Sequence, residues 1–159
     1  MTAEALLSLA RARGLRVCTA ESCTGGMVAA ALTDIAGSSD VVECGFVTYS
    51  NAAKQQMLGV RAETLAAHGA VSEEVAAQMA EGALAHSAAD IAVSITGIAG
   101  PGGSEFKPEG RVCFGVAAKG APTRTQTIEF GALGRDKVRE AARDHALDFL
   151  GKAASRSDQ

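Results

Sequence analysis

The chain has 159 residues, 47% hydrophobic and 21% charged, a composition that makes a folded domain and excludes an intrinsically disordered chain. Fifteen Lys and Arg against 18 Asp and Glu leave a formal net charge of −3, and one Tyr, five Phe and no Trp offer few stacking faces, so nucleic acid is not an expected partner. The four cysteines form no C-x-x-C pair, the three histidines lack metal-ligand spacing and no apolar run approaches a membrane span; reduced thiols, no metal, no membrane and a cytoplasmic setting are the expectations.

Ala5, Leu6, Leu9 and Ala10 recur at helical spacing, which predicts a first helix over 2–13 stopped by Gly14. An apolar strand over 15–21 follows, then a small-residue helix over 24–34. A loop, 35–39, leads to a second strand over 41–49. Asn51 is the expected cap of a short helix ending near Gly59. A second short helix covers 63–68, and Ser72 starts a longer one reaching 85. The continuous apolar run 91–96 reads as a strand covered on both faces. A Gly-rich segment, 97–110, precedes a fourth strand over 112–118. The Gly120-Ala121-Pro122 turn then lets a fifth strand, 124–130, pair antiparallel with the fourth. The last helix spans 134–150 with Val138, Ala142, Ala146 and Phe149 on its core face, and 152–159 read as a frayed polar tail. Met27, Met57 and Met79 are expected core fillers, and His145, beside the core face, a structural residue. Helices between apolar strands predict one domain over 1–159, a three-layer α/β/α sandwich with a mixed, mostly parallel sheet.

In open α/β sheets, ligands bind beyond the carboxyl ends of the strands. Three such ends carry polar residues: Glu21-Ser22, Tyr49-Ser50-Asn51 and Thr96-Gly97. Ser22 lies at a strand-to-helix junction, where free N–H groups and the helix dipole converge; it either caps the helix or serves as an activated nucleophile or anion site. Gly25 and Gly26 favour access to the backbone. The 97–110 segment fits neither G-x-x-x-x-G-K-[ST] nor G-x-G-x-x-G, so it is not read as a nucleotide fingerprint. Lys54 falls in a first helical turn, against the dipole. It is either solvated or a base; lowering a lysine pKa from ~10.4 to near 7 takes about 4.6 kcal/mol, more than the ~0.3–1 kcal/mol of the dipole, so a base here must be buried. Arg135, Arg139 and Arg143 form one helical stripe, either paired with Asp136, Glu140 and Asp144 or free to clamp phosphate. Cys23 is a less favoured nucleophile beside Ser22.

Four ordered blocks resemble the CinA C-terminal domain family: Thr19-Ala20-Glu21-Ser22-Cys23-Thr24-Gly25-Gly26, Tyr49-Ser50-Asn51-Ala52-Ala53-Lys54, Gly69-Ala70-Val71-Ser72, and Thr96-Gly97-Ile98-Ala99-Gly100-Pro101-Gly102-Gly103. The family's enzymes are nicotinamide-nucleotide amidohydrolases, and the chain resembles its stand-alone form. The resemblance implies deamidation of nicotinamide mononucleotide to nicotinate mononucleotide and ammonia by a serine nucleophile, with a lysine and a tyrosine assisting; those roles fall on Ser22, Lys54 and Tyr49. Glu21, Thr24, Gly25, Gly26, Asn51, Thr96, Gly97, Gly100, Gly102 and Gly103 are the expected substrate-binding set, with Arg135 and Arg139 for the phosphate. No cofactor is implied, and a homo-oligomer, a dimer foremost, is. The chain departs from the family's Lys-Pro-Val-Gly-Thr-Val at Lys107-Pro108-Glu109-Gly110-Arg111-Val112, where two charges enter. The competing reading is a non-catalytic pyridine-nucleotide-binding or competence/damage-related regulatory module that keeps the pocket without turnover.

Overall fold

The computed structural model describes residues 1–156. Five strands, β1 (Val17–Glu21), β2 (Val42–Val47), β3 (Ile91–Gly97), β4 (Arg111–Ala118) and β5 (Arg124–Glu129), form one sheet in the order β2-β1-β3-β4-β5. β1 pairs parallel with both β2 and β3, whereas β4 runs antiparallel to β3 and to β5. Only β4 is reversed, so the sheet is mixed and mostly parallel, as the terminal hairpin predicts.

Six α-helices cover it: α1 (Ala3–Ala12), α2 (Met27–Thr33), α3 (Asn51–Leu58), α4 (Ala62–His68), α5 (Glu73–Ala85) and α6 (Arg135–Ala154). The strands' period of two sorts their side chains into two cores. Leu6 and Leu7 of α1, Val28 and Leu32 of α2, and Val138, Ala142 and Ala146 of α6 pack on Val17, Ile91, Val93, Ile95 and Phe114. Leu58 of α3 and Val75 and Met79 of α5 pack on Cys18, Ala20 and Ala92. Each large apolar side chain so buried stabilises by ~1.5–3 kcal/mol. On the second face small residues let α5 settle close to the sheet: Ser94 Oγ donates to the Ala76 carbonyl at 2.6 Å. Helix α3 rests on α5 at Gly82, where a Cβ would lie 1.8 Å from the Leu58 carbonyl oxygen.

Several boundaries move for identifiable reasons. Ser50, not Asn51, caps α3: its extended backbone lets Oγ accept from the Ala53 N–H at 3.0 Å. Helix α2 begins after Gly26 because Gly25 and Gly26 take positive φ, outside the helical region. Helix α6 continues through 152–154 instead of fraying, held by buried Leu150 and Ala154; residues 157–159 of the expected tail lie outside the described residues. Met79 is buried and Met27 half-buried, but Met57 is exposed on α3, away from both cores. A short 3-10 turn, Ser38–Asp40, interrupts the expected loop. His145 sits in a ring cluster with Phe114, Phe130 and Phe149 and bonds Gln126 Oε1 at 2.7 Å, a structural position.

Candidate active site

The chain leaves β1 toward β2 on one side, and β3 lies on the other, so the carboxyl ends of β1 and β3 flank a topological switch point. The Ser22 N–H donates to the Ile95 carbonyl at 2.9 Å, extending the parallel ladder one residue past β1. Alternation then fixes the side-chain directions. Glu21 shares the face of Val17, under α2, whereas Ser22 shares that of Cys18 and Ala20, under α3 and α5.

Helix α3 brings Lys54 to that second face, one turn before buried Leu58. The lysine is 1% exposed, and its Nζ lies 2.9 Å from Ser22 Oγ, 3.0 Å from the Thr48 carbonyl and 3.3 Å from the Tyr49 carbonyl. All three partners are neutral. Burial holds the amine below the ordinary lysine range, with Cys23 and Glu105 pulling weakly the other way. Adjacent Cys23 is pushed up to about 12 by burial, which favours its thiol over the thiolate near neutrality.

Ser22 and Lys54 open into a cavity of about 360 Å³ that Tyr49, Asn51, Thr96, Gly97, Gly100, Gly102, Gly103 and Arg135 also line. Gly97 is required here, because a Cβ would stand 2.6 Å from Val112 Cγ2. Tyr49 is 60% exposed at the rim. Its hydroxyl accepts from Arg135 Nη2 at 2.7 Å, while Arg135 Nη1 donates to the Gly100 carbonyl at 2.8 Å. Thr96 Oγ1 donates to the Ala70 carbonyl at 2.9 Å, tying the end of β3 to the α4–α5 turn.

The rest of the expected substrate set lies outside this lining. The fully buried Glu21 carboxylate accepts from Thr24 Oγ1 (2.7 Å), Gly26 N–H (3.2 Å), Val28 N–H (2.9 Å) and Ala29 N–H (3.0 Å). It fills the start of α2 that the sequence offered to a substrate anion and engages Thr24 and Gly26, while the Gly25 N–H donates to the Ser22 carbonyl at 3.0 Å. Arg139, the other arginine expected at the phosphate, lies outside the cavity lining: its Nε donates to the Cys23 carbonyl at 3.0 Å and its Nη2 to the Thr24 carbonyl at 3.4 Å. Arg143 pairs with Asp144 at 2.9 Å. The three arginines of one stripe therefore have three different settings.

The structure adds lining residues that sequence reasoning missed. Ala70 and Val71 enter from the α4–α5 turn, and Ser104 and Glu105 from the Gly-rich loop. The Gly69-to-Ser72 block was the available signal for the first pair. The loop itself is tied down: Ser104 and Lys107 bridge, Lys107 Nζ donates to the His68 carbonyl at 2.6 Å, and the Gly102 N–H donates to Glu109 Oε1 at 2.6 Å. The two departures thus have places, Glu109 bracing the loop and Arg111 pairing with Glu129 at 2.8 Å.

Fold and site define a three-layer α/β protein with a small-molecule cavity, floored by a serine and a buried lysine, at the switch point of its sheet. The sequence profile of the CinA C-terminal domain matches residues 1–154, and the chain belongs to that family. It is 59% identical over 141 residues to nicotinamide-nucleotide amidohydrolase PncC of Escherichia coli K12, covering 88% of this chain and 85% of that one. It is 54% identical over 149 residues to a CinA-like protein of Chloroherpeton thalassium, covering 89% of this chain but spanning only 36% of that longer protein. Among solved structures, the competence/damage inducible protein CihA of Agrobacterium tumefaciens superposes with a TM-score of 0.92 at 49% identity, over 96% of this chain and 93% of that one. Among the described residues no helix is long and apolar enough to cross a membrane.

Proposed function

We propose that this chain is an amidohydrolase that converts nicotinamide mononucleotide and water to nicotinate mononucleotide and ammonia, with Ser22 as nucleophile and Lys54 as its base. The observation that carries this reading is the 2.9 Å contact between Lys54 Nζ and Ser22 Oγ at the floor of the cavity. A neutral amine has two N–H donors and one lone pair. The Thr48 and Tyr49 carbonyls accept the two N–H bonds, which leaves the lone pair for the Ser22 hydroxyl proton. Burial favours that neutral amine, and a serine–lysine pair is a known variant of triad chemistry. The high identity to a protein named for this reaction supports the substrate class.

Ser22 Oγ attacks the carboxamide carbon as Lys54 takes its proton. The Ile98 N–H and carbonyl both bond toward β4, and the Ile95 carbonyl accepts from Ser22. Alternation therefore aims the Gly97 N–H to the Ser22 side, past the end of β1, where an oxyanion would form. Lys54 then protonates the departing ammonia, and a water activated by the same amine hydrolyses the acyl-enzyme. Lys54 reaches Ser22 directly and touches Tyr49 only through its main-chain carbonyl, so the Tyr49 phenol is assigned to the nucleotide end of the cavity. There it would stand with Asn51, the loop glycines and Arg135, whose guanidinium meets no carboxylate among the described residues and suits a phosphate. A homo-oligomer in the cytoplasm belongs to the same proposal.

The test is ammonia release from nicotinamide mononucleotide by the purified chain and by Ser22→Ala. The variant should fold, bind nucleotide and release no ammonia above background. Full activity in Ser22→Ala discards the serine mechanism. Nucleotide-induced thermal stabilisation of the unaltered chain with no ammonia released favours the regulatory reading instead.

A further inference from the structure

The turn that carries Ser22 is gripped from two sides by residues of opposite charge. From one side, the buried Glu21 carboxylate accepts from the Thr24 hydroxyl and the Gly26 N–H of the turn, and from the Val28 and Ala29 N–H groups of α2, which anchors the turn to the helix that follows it. From the other, the Arg139 guanidinium donates to two backbone carbonyls of the same turn, at Cys23 and Thr24. Ser22 is pinned between them by its N–H on Ile95 and its carbonyl on the Gly25 N–H at 3.0 Å. The geometry points to Glu21 and Arg139 as positioning residues that hold the Ser22 hydroxyl against Lys54. This assignment rests on Ser22 being the nucleophile.

The chemistry of the grip suits this task. Residues 22–26 belong to no regular element, and two of them are glycines with positive φ, so the segment has little stiffness of its own. Its first three residues, Ser22, Cys23 and Thr24, are buried, so their backbone groups need partners within the protein. An ionised carboxylate accepts at both oxygens, and a guanidinium donates in a planar fork, so one pair of side chains meets N–H groups and carbonyls alike. Among the described residues Arg139 has no carboxylate partner, and neither it nor Glu21 lines the cavity. Arg135, one turn earlier on α6, does line it. The two arginines are therefore separable by experiment: Arg135 faces the nucleotide, and Arg139 faces the chain.

The experiment compares steady-state kinetics and thermal melts of Arg139→Met, Glu21→Gln and Arg143→Met with the unaltered chain, using nicotinamide mononucleotide as probe and Ser22→Ala as reference. Misplacing a nucleophile by about 1 Å costs roughly 100-fold in rate. Arg139→Met and Glu21→Gln are each expected to lower kcat by about 10–100-fold while KM changes less than about threefold. Arg143→Met, on the outer face, keeps its kcat. Guanidinium ion should restore kcat in Arg139→Ala, where sodium ion at equal ionic strength does not. If the Met variant fails to fold, Arg139→Lys keeps one donor and should fall between the two in kcat. A rise in KM at constant kcat would overturn the assignment and return Arg139 to the substrate phosphate, as would unchanged kinetics in both variants. If Ser22→Ala is itself fully active, the nucleophile reading fails first; if Ser22→Ala is inactive while Arg139→Met keeps its kcat, only the grip fails.

Discussion

At the carboxyl ends of β1 and β3 the protein buries Glu21, Ser22, Thr24, Thr48, Lys54 and Thr96 within a few residues of one another. At the amino-terminal ends of the same strands, charged groups remain wet. Arg16 pairs with Glu43 at 2.9 Å and Lys119 with Asp90 at 3.6 Å, all partly exposed, around apolar Leu15 and Ile91. A buried polar group costs free energy unless it is fully hydrogen-bonded, and surface pairs contribute little either way. One end of the sheet thus carries a burden the other avoids. Thr48 Oγ1, buried without a partner beside the lysine's own acceptor, shows that the burden is not fully met. Such a concentration is expected where reaction chemistry, not stability, sets the residue types.

The sharpest break between the two ends comes from Lys54→Met. In the role proposed for Lys54, its loss lowers kcat by about 10²–10⁴-fold. Replacing a buried amine with an apolar chain of similar shape is neutral or stabilising. Ammonia release should therefore collapse while the thermal midpoint holds or rises, and a fall in both would make Lys54 part of the frame. Phe114→Ala, in the core between sheet and α6, should do the reverse. It costs about 3–5 kcal/mol in urea unfolding and leaves the turnover of the folded fraction intact.

A smaller effect separates the ends by pH. The folded-state pKa of Lys54 lies below its ordinary 10.5. Between those two values the unfolded chain binds more protons than the folded one, so this residue's contribution to stability rises with pH across that window. Lys54→Met should flatten the rise in a series of melts. In the active chain kcat/KM should climb with pH as the amine loses its proton, then level off above the folded-state pKa. The smallest change is expected at the other end: Lys119→Ala, which removes one partner of an exposed pair, should stay within about 0.5 kcal/mol.

How much of this was legible in the sequence depends on the scale of the cause. Layer order, hairpin and the core face of α6 follow from periodicity, which is local and needs no partner. Ser22 and Lys54 stood out as a hydroxyl at a strand end and a cation in a helix's first turn. Their meeting was legible in principle, because alternation from Cys18 and Ala20 puts Ser22 on the α3 side. The same count assigns Glu21 to the α2 side, which corrects its expected place in the pocket. Arg139 was not legible. Spacing shows that three arginines share a stripe, but whether each meets a helix neighbour, a loop carbonyl or a ligand depends on loops folding against α6 from far along the chain, 35 residues away for Arg135 and Gly100 and 116 for Arg139 and Cys23.

The bare flank of α5 at Gly82 bears on the reaction although it touches neither the cavity nor any reacting atom. The final carbonyl of the lysine's helix rests where a side chain would otherwise begin. Any carbon added there would lever that helix outward, and the 2.9 Å between the Ser22 hydroxyl and the Lys54 amine would lengthen with it. The spacing of hydroxyl and amine is thus governed in part by an atom the protein leaves out.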